Sequence, residues 1–148
     1  MALSTLMVGA CSSPSDPTPP YAALQLVLNE KQAQWDSLHA NHYSFDFEYK
    51  QIFSHLEGLT FTVEVQSDSI ISILNHATNQ MEDPSAWPTI PTINEMFKLV
   101  QNAIDRNYYK ISVKFNSTSG YPEMIGFDPE KQMADDEYGM TAGNLVIH

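Results

Sequence analysis

Cysteine is nearly missing from this chain. Cys11 stands alone among 148 residues, so no disulfide framework and no cysteine-built zinc centre can form within it. Basic residues are scarce too: seven Lys and Arg face 18 Asp and Glu, for a formal charge of −11 at pH 7, and the seven never cluster. A surface of that sign repels phosphate backbones at long range, which argues against nucleic acid as a partner. No run approaches the roughly 20 apolar residues of a membrane-spanning helix, so any attachment to a membrane needs another device. Only six glycines are present, with no phosphate-cradling Gly-rich loop and no Gly-x-Ser-x-Gly elbow. The five histidines, His39, His42, His55, His76 and His148, have no cysteine companions and no His-Glu-x-x-His spacing. No zinc site or catalytic residue is assigned from them; His39 and His42 are expected near a helix end, solvated or capping. The chain is accordingly read as a non-enzyme.

What is present near the start is a lipobox. Leu6-Met7-Val8-Gly9-Ala10 leads directly into Cys11, and small residues beside a modified cysteine give lipid-transferring and cleaving enzymes the access they need. On this reading residues 1–10 are a leader that is removed and Cys11 carries the lipid. The leader is short and lacks a basic residue, against an apolar region of about 7–15 residues behind a positive start in a secretory signal; a start upstream of Met1 would complete it. The competing reading is a frayed, slightly apolar end with an incidental cysteine. Residues 11–20, with Ser12-Ser13-Pro14-Ser15-Asp16-Pro17-Thr18-Pro19-Pro20 after the cysteine, form a polar, extended tether, which favours the lipoprotein. Ser12, in place of a retaining aspartate, directs the expectation to the periplasmic face of an outer membrane.

Residues 21–148 have the length of one domain, enough for a core without metal or disulfide staples. Leu24, Leu28, Trp35 and Leu38 mark one stripe of a helix over Tyr21 to Ala40. The period then drops to two: Tyr43, Phe45, Phe47 and Tyr49 alternate with Ser44, Asp46, Glu48 and Lys50, and Leu59, Phe61, Val63 and Val65 repeat the pattern. Ser67-Asp68 is short enough to turn the chain into a third strand, Ser69 to Leu74. A long link, Asn75 to Pro91, precedes the capping box Thr92-Ile93-Asn94-Glu95. Ile93, Met96, Phe97, Val100 and Ile104 then share a helix face, and Tyr109, Ile111, Val113 and Phe115 return to strand alternation. Ser119 to Pro122 predicts a turn, Met124 to Phe127 a short strand, and Glu137 to Ile147 a weaker one broken by Gly139 and Gly143. The expected fold is α+β, an antiparallel sheet of about six strands with two helices on one face, in the order α-β-β-β-α-β-β-β. The halves share a grammar, but too few identical residues to establish a duplication.

Four segments, Trp35 with Asn41-His42-Tyr43-Ser44-Phe45, Thr92 to Phe97, Gly120 to Ile125, and Ala134-Asp135-Asp136-Glu137, resemble in order and spacing a bacterial domain-of-unknown-function family, the 6174 type, found in predicted lipoproteins. The likeness covers nearly all of the chain after the tether. It implies a small α+β envelope domain and brings no reaction with it. Many members carry Cys-x-Cys soon after the first strand; here that stretch reads Ile52-Phe53-Ser54-His55-Leu56, so any redox or metal role of the pair has no counterpart.

Two features remain for ligand chemistry. Asp128-Pro129-Glu130 and Asp135-Asp136-Glu137 form a carboxylate-rich loop that could supply part of a calcium shell, though without EF-hand spacing. The plainer alternative has Asp128 and Asp136 holding turns while the other carboxylates face water. Trp87, flanked by prolines in the longest link, is either an exposed anchor for a partner or a cover folded over an open edge of the core, and the second use is the commoner. The functional expectation is a lipid-anchored, monomeric, non-catalytic envelope module whose sheet face or 75–91 loop binds a protein or small ligand. A calcium-stabilised acidic module and an unrecognised hydrolase are the alternatives.

Overall fold

The computed structural model describes residues 20–50, 58–87, 89–133 and 135–148. Cys11, the tether as far as Pro19 and the 52–56 stretch lie outside them.

Helix α1 spans Ala22–Asp36 and buries Leu28 and Trp35. It stops short of the expected Ala40 because the chain leaves helical backbone there: His39 adopts φ 49°, the left-handed conformation that terminates helices. Leu38, expected on the buried stripe, is therefore exposed. Strand β1, His42–Tyr49, shows the predicted alternation without a break, with Tyr43, Phe45, Phe47 and Tyr49 buried. His42 consequently lies in a strand rather than at a helix end. Strand β2, Thr60–Gln66, buries Phe61, Val63 and Val65, and β3 is Ser69–Asn75. Between them Ser67 and Asp68 both take positive φ, 51° and 59°, the two left-handed residues that a tight hairpin matching the strand twist requires.

The long link is where the expectation needs correcting. Gln80–Glu82 forms a strand, β4, paired with the edge of β3 through Met81 opposite Leu74, and Pro84–Ala86 makes one 3-10 turn capped by Asp83. The sheet thus has seven strands rather than six; three residues are too few for alternation to register in sequence. Helix α2, Ile93–Asp105, starts at the capping box as predicted and buries Ile93, Met96, Phe97, Val100 and Ala103, leaving Ile104 at the margin. Strands β5, Lys110–Phe115, β6, Pro122–Asp128, and β7, Tyr138–Ile147, complete the chain, with Tyr109 exposed just outside β5.

β7 is not broken at its glycines. It runs through both and sits between β1 and β6 in the sheet order β4-β3-β2-β1-β7-β6-β5, every pairing antiparallel. A Cβ on Gly139 would stand 2.7 Å from the Ile125 carbonyl oxygen, so the bare backbone there is what lets the neighbouring strand approach. The β1–β7 pairing joins two meanders, one following each helix in the chain, into a single sheet with both helices on one face.

Three of the four segments that carry the family likeness meet around Trp35. Its indole N–H donates to Asn94 Oδ1 at 2.8 Å, and its ring stands edge-on to Tyr43 at 5.2 Å. The Tyr43 hydroxyl accepts from the Ile93 N–H, one of the unpaired donors at the start of α2, and burial pushes its pKa up to about 12. Thr92 Oγ1 and Asn94 Nδ2 donate to Asp68, docking the β2–β3 turn on the same helix end. From the other side Gly120, at φ 80°, presses against α1 so closely that a Cβ would lie 2.5 Å from the Lys31 carbonyl oxygen, and Tyr121 meets the Trp35 ring at 6.4 Å. These residues assemble the fold.

Candidate functional site

Where α2 lies over the ends of β1 and β7, the packing opens into a cleft of about 670 Å³. The face of α2 centred on Phe97 and Val100 is directed into the core, which leaves Leu99, Lys98 and Asn102 along its flank as one wall. Tyr49 ends β1 and Met140 follows the side-chain-free Gly139 in β7, giving the opposite wall; Ile90 and Pro91, from the end of the long link, close the edge. The lining is mostly apolar. Its polar groups are the Tyr49, Thr89 and Tyr138 hydroxyls, the Asn102 amide, Lys98 and Glu95; the Tyr49 and Thr89 hydroxyls hydrogen-bond to each other, and Glu95 is engaged in capping α2 through its bond from the Thr92 N–H. Burial raises the phenol pKa of Tyr49, and burial with the Tyr108 hydroxyl beside it drives that of Tyr138 far up. Both phenols therefore keep their protons near neutral pH.

Trp87 does not project from the link. Its ring is half-buried, 4.7 Å from the ring of Phe61, and its indole N–H has no hydrogen-bond partner among the described residues. The geometry is that of a cover over the core's edge.

The carboxylate-rich loop is only partly gathered. Asp128, Asp136 and Glu137 bring one oxygen each within 4.8 Å of the others, while Glu130 and Asp135 are exposed and stand outside the group. Asp136 holds the turn as expected, its Oδ2 accepting from the Glu130 N–H at 3.1 Å; Asp128 makes no such bond among the described residues. Instead Asp128 Oδ1 and Asp136 Oδ1 are both buried without a partner. Burial, then the charges of Glu137 and Asp136, raise the pKa of Asp128 against the opposing pull of Lys110. Desolvated oxygens converging in this way accommodate a proton or a cation.

The cleft was not legible as a site in the sequence. Tyr49 reads there as one more inward residue of a strand, Leu99 as a helix-face neighbour and Met140 as part of a weak strand; no spacing links them. Of the histidines, His39 follows the end of α1 as expected, His76 lies in the β3–β4 turn, and His42, expected at a helix end, instead stands beside His148 on the open face of the sheet, 4.6 Å between ring centres.

Comparison with known proteins gives a family without an activity. No curated protein and no solved structure matches the chain. The model of a family of unknown function, DUF6174, matches residues 27–147, a stretch that begins within α1, ends with β7 and contains Trp35, the α2 capping box, Gly120 and every residue of the cleft. The chain therefore belongs to DUF6174, the family of unknown function that its sequence resembles.

Proposed function

We propose that this domain is a non-catalytic binding module, carried on a bacterial envelope membrane by lipid on Cys11, that takes a small ligand with an apolar body in the cleft between α2 and β7. The cleft itself is the observation that supports this reading. Its volume of about 670 Å³ falls in the range of about 300–1,000 Å³ common to small-molecule sites, and a mostly apolar lining with a few hydroxyl, amide and charged groups, here including Lys98 and Glu95, is the usual composition of such sites. Burial of the ligand supplies the affinity, and Tyr49, Thr89 and Asn102 orient it. No helix of the described residues is long and apolar enough to cross a membrane, so in this reading the attachment runs through Cys11. A stable anchor takes more than one lipid chain, as processed lipoproteins carry.

Titration of the full chain with the dye 8-anilinonaphthalene-1-sulfonate tests the cleft. Saturable fluorescence is expected, lost in Leu99→Glu at unchanged circular dichroism; no saturation with the wild type, or an unaffected variant, refutes it. The anchor is tested by mass spectrometry: the mature chain should begin with diacylglyceryl-cysteine at Cys11, and an unmodified Met1 on membrane-free protein would rule that out.

The two unpartnered buried oxygens of Asp128 and Asp136 support a second reading, that the acidic loop is stabilised by calcium. Three carboxylates supply part of a shell of six to eight oxygens, with water completing it. Millimolar calcium should then raise the melting temperature of the wild type and not of Asp128→Asn/Asp136→Asn; equal responses would dismiss the site.

A further inference from the structure

The open face of the sheet holds a group of side chains that neither site above uses. β2, β1 and β7 lie side by side there, and the register sets Ser44 opposite Glu64 on one side and Val146 on the other. His42 is two residues from Ser44 on the same face of β1. His148 follows β7, and its backbone N–H donates to the His42 carbonyl oxygen at 2.9 Å, which continues the ladder and fixes one imidazole beside the other. His42 Nε2 lies 2.8 Å from Glu64 Oε1, and His148 Nε2 lies 3.1 Å from Ser44 Oγ.

We propose that His42, Glu64 and His148 form a site for zinc across the seam between the two meanders, with water in the remaining positions. One ligand atom from each residue lies within 4.8 Å of the other two. Around a tetrahedral zinc, with bonds of about 2.0–2.1 Å, those atoms stand about 3.3 Å apart, a closure that side-chain rotation on an open face provides. Two imidazoles and one carboxylate suit zinc and its neighbours in the first transition row and disfavour calcium and magnesium, which take all-oxygen shells. The carboxylate is already oriented. Ser72 Oγ donates to Glu64 Oε2 at 3.0 Å and leaves Oε1 turned to the imidazoles, the kind of outer hydrogen bond that positions a metal ligand. His42 and Glu64 each keep about a third of their side-chain surface exposed, 35% and 36%, so an ion can reach them.

A neighbouring group on the same face makes the contrast. Asp46 spends both oxygens on protein donors, Oδ1 accepting from Thr62 Oγ1 at 2.6 Å and Oδ2 from Asn144 Nδ2 at 2.8 Å; His76 Nε2 is bonded to the Thr62 hydroxyl at 2.8 Å, as His148 Nε2 is to that of Ser44. That group has a histidine and a carboxylate but no free oxygen aimed at the ring and no second imidazole. It serves as the internal control.

The test is zinc titration of the full chain against a chromophoric chelator, repeated on Cys11→Ser so that the one thiol is not counted. One equivalent of zinc should bind. His42→Ala, His148→Ala and Glu64→Gln should each weaken binding by about tenfold or more, and Ser72→Ala by less. His39→Ala and His76→Ala should leave it unchanged. Cobalt in place of zinc should give a visible absorption band that the same three substitutions remove. Circular dichroism of the metal-free variants checks that they fold, and Glu64→Gln, which keeps the shape of the side chain, holds the test open if a histidine variant does not. No stoichiometric zinc on the wild type, unchanged affinity in all three ligand variants, or equal loss in His39→Ala or His76→Ala would overturn the site.

Discussion

One eight-residue strand, β1, presents two surfaces that obey different rules. Toward the helices Tyr43, Phe45, Phe47 and Tyr49 are removed from water, and what matters there is apolar volume delivered every second residue. Toward solvent His42, Ser44, Asp46 and Glu48 remain partly wet, and what matters is which side chain the register places opposite each. Thr62 donates to Asp46 because it is its cross-strand partner; His42 reaches Glu64 because that residue lies on the diagonal. The covered face depends first on period and bulk, to which the Tyr43 and Tyr49 hydroxyls add bonds to the Ile93 N–H and to Thr89. The open face works in one register only, since a slip by one residue would send its polar set into the core.

Substitutions can break this contrast at graded cost. Phe45→Ala, at a fully buried ring, should cost about 3–5 kcal/mol in urea denaturation, the sum of lost burial and the cavity left behind. Gly120→Ala should cost about 1–3 kcal/mol for a side chain at φ 80°, with the clash against the Lys31 carbonyl oxygen adding to it; the measurement is the same. Thr92→Ala removes the acceptor that caps α2 at Glu95 N and the donor to Asp68, and should lower stability by about 1 kcal/mol.

The smallest effect is expected for a solvent-facing pair, Lys114 with Glu123 at 2.9 Å. Hydrogen bonds from Lys114 first and from Asn116 hold the Glu123 carboxyl below its ordinary value of 4.5, so the pair stabilises the fold above that pH and the contribution fades as pH falls through the depressed value. Glu123→Gln should therefore cost under about 1 kcal/mol at pH 7 and nothing once the carboxyl is protonated, read from unfolding curves across that range.

The legible part of this molecule is the part written in local periods. β1 and β2 alternate over enough residues to be unmistakable, Ser67-Asp68 offers a two-residue turn, and the capping box marks the start of α2 to the residue. β4 is too short to show a period, and β7 carries two glycines that count against a strand in sequence but serve close approach in the sheet. For candidate sites less could be read. The acidic loop is visible as composition, yet which of its carboxylates converge depends on the β6–β7 turn: Asp128, Asp136 and Glu137 do, Glu130 and Asp135 do not. Trp87 offered two uses, and its burial against Phe61 depends on a strand and link that no local pattern specifies.

By itself the sequence determined the α+β class, the inward face of nearly every long element and the acidic character of the surface, because hydrophobic period and charge are properties of neighbours along the chain. The family likeness adds a whole-domain match without an activity. The order of strands in the sheet was decided by tertiary structure alone, and with it the cleft of Tyr49, Leu99 and Met140 and the meeting of His42, Glu64 and His148. The physical reason is that β1 and β7 come from opposite ends of the folded unit. Their pairing depends on how both meanders bury their apolar faces under two helices, and no local spacing records that.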